Sequence, residues 1–166
     1  SGDKRGINWI KRESGILSKL INQKVVRLRF HYLKMKIPNI YSAIDKTLIQ
    51  EDWSMQFPRK CGYRAGVAVP IPIWLDDNRG AFNEYGLPHR LWFPVSIMDQ
   101  NLKDLSQNEL LNFLLEWNSH ASRYGSSIQI ASHWRFFGPN MSIDKENKQY
   151  ENWVIGLKEF LKVWKP

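Results

Sequence analysis

The sequence predicts an α+β fold: an antiparallel sheet of about four strands in split β-α-β (ferredoxin-like) order, with extra helices at both termini. Three observations carry this expectation. Period-two and helix-period segments alternate along the chain as α, then β-α-β-β-α-β, then α. The strand that falls second in the inner pattern contains Pro70 and Pro72. The topology puts that strand at a sheet edge, where missing N–H donors are tolerated. One helix also carries both a start signal and a stop signal.

The elements follow in order. Residues 5 to 22 read as a helix, because Trp9, Ile10, Ile16, Leu17, Leu20 and Ile21 recur at near-helical spacing. Lys4, Lys11 and Lys19 fall near the other side, and Gly15 weakens the pattern. In "KVVRLRFHYLKMKI", residues 24 to 37, Val26, Leu28, Phe30 and Tyr32 alternate with Arg27, Arg29 and His31. That is a half-buried strand with a basic face. Its phase then flips, since Leu33 and Met35 are apolar while Lys34 and Lys36 are charged. A flip of one residue marks a bulge or the strand's end. A helix is expected over 40 to 52.

Residues 64 to 75, "RAGVAVPIPIWL", give the proline-bearing edge strand. "HRLWFPVSIM", 89 to 98, gives a third strand with Arg90 and Trp92 on one side; Pro94 is its irregularity. Ser106 and Glu109 form a capping box ahead of the stripe Leu110, Leu111, Phe113, Leu114, Trp117, Ala121 and Tyr124, and Gly125 suits the C′ position. Residues 127 to 137 give a fourth strand, with His133 and Arg135 on its polar side. A last helix spans roughly 147 to 164 around Trp153, Leu157, Phe160 and Trp164. The expected organisation is a basic N-terminal helix or arm at 1–22 and a single α+β domain at 23–166.

Charge distribution says more than net charge. The chain has 166 residues and a net charge of +8. Residues 1 to 36 hold ten cations (Lys4, Arg5, Lys11, Arg12, Lys19, Lys24, Arg27, Arg29, Lys34 and Lys36) against Asp3 and Glu13. That difference of eight is the whole net charge, and it points to a polyanionic partner. In the expected topology the open sheet face carries Arg27, Arg29, His31, Arg90, Trp92, His133 and Arg135. Arginines contact phosphates and an indole stacks a base. The architecture resembles that of an RRM in strand order, although "HRLWFPVSIM" lacks the glycine- and aromatic-rich signature of that family's third strand.

Other chemistry finds little support. His31, His89, His120 and His133 are scattered, with no metal-ligand spacing. "DDNRG" at Asp76 and Asp77 is first of all a turn former, and the Asp-x-Asp of a primase-like pattern is missing. "HASRY" is similar to the H-x-x-R of tyrosine recombinases, without that family's other motifs. Cys61 is the single cysteine, which excludes an internal disulfide. No leader pattern opens the chain, and no apolar run approaches the roughly 20 residues of a membrane span.

The leading expectation is therefore a non-enzymatic nucleic-acid-binding protein without cofactor or metal. It would be intracellular, neither secreted nor membrane-spanning, compatible with homo-oligomerisation and with a viral or mobile-element origin. A second reading is a structural, matrix-like protein that binds anionic membrane through the basic amphipathic helix at 5 to 22. A third is a metal-dependent nuclease or primase-like enzyme using Asp76 and Asp77. One observation separates the first two: whether the apolar stripe of the first helix packs inward or projects outward.

Overall fold

Burial along the chain follows two separate apolar clusters. The computed structural model describes residues 3–33, 40–41, 44, 46–73, 82–133 and 147–164. Lys34, Lys36, Asp76, Asp77 and Arg135 lie outside the described residues. The fold is mixed α+β, with two compact units: Ser1–Met55 with Pro70–Pro94, and Gln56–Val69 with Val95–Pro166.

The first unit begins with α1 (Asp3–Ile21). Asn22 adopts a left-handed φ of 52° just beyond it, a conformation that asparagine tolerates at a helix end. Next come β1 (Arg27–Leu28) and a 3-10 turn at His31–Leu33, in which Tyr32 has φ 57°. The basic strand is thus only two residues long, and the phase flip marks a tight turn. β2 (Glu51–Met55), β3 (Ile71–Pro72) and β4 (Leu91–Pro94) complete a sheet of order β1-β2-β4-β3.

β1 pairs with β2, and β2 with β4, in parallel; only β3 runs antiparallel, against β4. This corrects the expectation of an antiparallel sheet throughout. The cause is β2, which falls where a helix tail was expected. Its buried positions include Asp52 and Ser54, so its inward face is polar and the hydrophobic alternation of a strand is absent. The proline-bearing β3 does lie at the edge. Pro94 closes β4 opposite Met55, after a register shift between Asp52 and Met55, which spares an inner strand the loss of a mid-ladder donor. Tyr41, Ile44, Ile49 and Ile73 form this unit's core, with Ile10, Leu28, Phe30 and Trp92 packed against them.

The second unit holds β5 (Ile97–Met98), a 3-10 turn at Asp99–Asn101, α2 (Gln107–Arg123), β6 (Ile130–Ala131) and α3 (Asn147–Val163). β6 pairs in parallel with β5 in a separate two-stranded sheet. The expected third strand is therefore split at Pro94, and the described part of the expected fourth pairs with β5. The capping box of α2 is formed in both directions: Glu109 N–H donates to Ser106 Oγ at 3.4 Å, and Ser106 N–H to Glu109 Oε2 at 2.8 Å. Ile97, Leu102, Leu110, Leu114, Trp153 and Phe160 make the core. Gly156 lets α3 approach α2 closely, since a Cβ there would stand 2.8 Å from Leu110 Cδ2.

Candidate functional site

The packed side of α1 is Ile7, Ile10, Ser14 and Ser18 rather than the expected isoleucine and leucine stripe. Ile7 is buried and Ile10 joins the core. The Ser18 hydroxyl accepts from Val25 N–H at 3.0 Å, which pins the end of α1 to the chain entering β1. Ser14 Oγ donates back to the Ile10 carbonyl at 2.6 Å. A helix anchored through small polar residues turns its larger apolar side chains outward. Trp9 is 62% exposed, Ile16 51% and Leu20 78%. At about 100° per residue these three fall within roughly 40° of one another. Leu17 and Ile21 are also exposed. Arg12 and Lys19, both exposed, border one side of the stripe, and exposed Lys11 lies across the helix from it.

The remaining basic residues have varied surroundings. Lys4 and Arg5 belong to the first turn of α1. Lys24 and Arg29 are exposed. Arg27 Nε donates to Glu51 Oε2 at 2.7 Å, and the Trp53 indole N–H donates to the same oxygen at 3.0 Å. Arg27 is thus an exposed cation already matched with an acid. His31 is exposed, its ring centroid 4.0 Å from that of Tyr32.

Arg90 and Trp92 serve the interior of the first unit. Arg90 Nε donates to the Ile49 carbonyl at 2.9 Å and Nη2 to that of Thr47 at 3.4 Å, fastening the segment before β2. Trp92 packs edge-on to Tyr41 with centroids 5.0 Å apart. Trp92 is half-buried, and this edge contact ties it to the first unit's core cluster. Beside it, the Asp52 carboxyl is pushed above the usual carboxylate value by burial, partly offset by its bond from Ser54 N–H at 2.8 Å and by the Trp92 indole. Asp52 Oδ2 and Trp92 Nε1 are both buried without a hydrogen bond of good geometry.

His133 belongs to the second unit, where it bonds a buried carboxylate. Asp99, 1% exposed, accepts from Gln100 N–H at 2.7 Å and from His133 Nδ1 at 2.8 Å through Oδ1. Its Oδ2 accepts from the Ser132 hydroxyl at 3.1 Å and from the His133 backbone N–H. The carboxylate ties the turn after β5 to the chain leaving β6. Sequence reasoning missed Asp99, because a lone acid after an apolar strand resembles any turn former. Burial pushes the Cys61 thiol up, which keeps it protonated and unreactive at neutral pH.

Among the described residues, no group of three His, Cys, Asp or Glu side chains is placed to hold a metal ion. Nor, among them, is any helix long and apolar enough to cross a membrane. No family model, curated protein or solved structure matches the chain.

Proposed function

We propose that the protein is a non-enzymatic, peripheral binder of an anionic surface, and that this surface is a lipid bilayer engaged by α1. The observation that carries the reading is the outward stripe Trp9, Ile16 and Leu20 bordered by Arg12 and Lys19. An interfacial helix needs apolar side chains to enter the headgroup boundary and cations to meet anionic lipid, each near the surface contributing about 1 kcal/mol. Tryptophan favours that boundary because one end of the indole is apolar and the other polar.

Co-sedimentation with phosphatidylcholine vesicles, with and without phosphatidylserine, tests it. Binding should require phosphatidylserine and weaken with salt. Trp9→Ser with Leu20→Ser should weaken it at least about tenfold, given roughly 1.5–3 kcal/mol per large apolar side chain. Binding that survives the double change contradicts the reading. So does a dimer in sedimentation velocity that the same change abolishes, since the stripe would then be a self-association seam.

Nucleic-acid binding is the second reading. It is favoured by the confinement of the net charge to the first 36 residues, continuing past α1 through exposed Lys24 and Arg29. It requires a salt slope of about −0.7 to −0.9 per neutralised phosphate and indifference to the Trp9 and Leu20 changes.

A further inference from the structure

We propose that a cleft within the second unit binds a small organic cation: a protonated or quaternary ammonium group on an apolar body. The cleft has a volume of about 690 Å³, within the size range of small-molecule sites. One wall is a face of α2 and the other is the segment 62–69. That segment is held in place at both ends. Gly62 N–H donates to the Ser96 carbonyl at 2.8 Å, and the Ser126 hydroxyl donates to the Ala68 carbonyl. The walls are therefore fixed by the protein's own bonds.

The lining chemistry selects the ligand. Tyr63, Phe113, Trp117 and Tyr124 supply aromatic surface. The Trp117 ring lies 5.3 Å from Phe113 at 25° and 6.3 Å from Tyr63 at 35°. Indole is the best of the aromatic faces for a cation, through its ring quadrupole. Among the described lining residues Glu116 is the one carboxylate, with His120 lining the cleft beside it. His120 Nε2 stands 3.9 Å from Glu116 Oε1, too far to occupy it with a hydrogen bond. The Tyr63 hydroxyl is buried behind the lining without a hydrogen-bond partner, so it is the aromatic ring of Tyr63 that the cleft uses. Aromatic faces and a carboxylate together favour a cation over a neutral body of the same shape and disfavour an anion. This site lies outside α1 and stands whether or not the surface reading does.

The test is an NMR titration of the full chain with three ligands of one shape: choline, the uncharged neohexyl alcohol and the anionic tert-butylacetate. Choline should bind about fivefold more tightly than the alcohol, and tert-butylacetate most weakly. The shifts should centre on the Trp117 indole N–H. Glu116 is exposed, so Glu116→Gln should fold normally and reduce the preference of choline over the alcohol. Trp117→Leu should cost choline more affinity than it costs the alcohol. Equal affinity for choline and the alcohol, preference for tert-butylacetate, or no binding by any of the three overturns the proposal.

Discussion

Asp52 shows how a single residue misdirects a reading of sequence. It lies buried in an inner strand, where a valine or isoleucine would have announced the strand at once. What holds it is local: Ser54 N–H donates to its Oδ1, while Ser54 Oγ accepts from Phe30 N–H at 2.8 Å. The carboxyl's folded-state pKa is raised, chiefly by burial. The folded protein therefore binds this proton more tightly than the unfolded chain does. The stability associated with protonated Asp52 is complete below the ordinary carboxylate value of 3.8. It is lost as pH rises through the raised folded value. Urea titrations of the protein and of Asp52→Asn over an acid-to-neutral series should show wild type losing stability relative to the variant as pH rises. Relative stability that climbs with pH would contradict the assignment of burial as the dominant influence.

Among elements, α1, α2 and α3 were legible, the end of the helix expected over 40 to 52 is turn and β2, and of the larger sheet the edge position of β3 was legible. The start and stop of α2 were written in Ser106, Glu109 and Gly125, and the extents of α1 and α3 in their periodicity. Four of the described strands, β1, β3, β5 and β6, are two residues long, too short for alternation to register. The orientation of α1 was also hidden. Its inward face uses Ser14 and Ser18, so the more apolar stripe is the outer one.

Two glycines separate propensity from packing at this scale. Gly15 has nothing within 4 Å of where a Cβ would sit. Gly15→Ala should therefore stabilise by up to about 1 kcal/mol through helix propensity. At Gly156 the same gain is opposed by a 2.8 Å contact with Leu110 Cδ2 and a 3.2 Å contact with the Gln107 carbonyl. Overpacking costs about 1–3 kcal/mol, so Gly156→Ala should be a net loss of about 1 kcal/mol. Thermal melts of both variants check the pair; destabilisation by Gly15→Ala would mean that α1 packs on its far side.

At the scale of the whole molecule, the location of charge was plain from the sequence, whereas the company it keeps was not. Arg90, Trp92 and His133 were expected to share one surface with the basic strand. Arg90 and Trp92 each make a contact within the first unit, and His133 bonds Asp99 within the second. Separation of the chain into two units, with "HRLWFPVSIM" divided between them at Pro94, has no local signature in the sequence. Exposed near the N-terminus is a cationic region containing the apolar stripe Trp9, Ile16 and Leu20.

Site-specific fluorescence reads it most directly. In a Cys61→Ser background, an environment-sensitive fluorophore is attached through Ile16→Cys, within the stripe, and separately through Lys11→Cys, across the helix. On addition of phosphatidylserine-containing vesicles, the label at position 16 should shift to the blue and brighten as it enters the headgroup boundary. The label at position 11 should remain water-like. Equal responses at both positions, or none at position 16 while the protein is demonstrably vesicle-bound, would contradict insertion of the stripe.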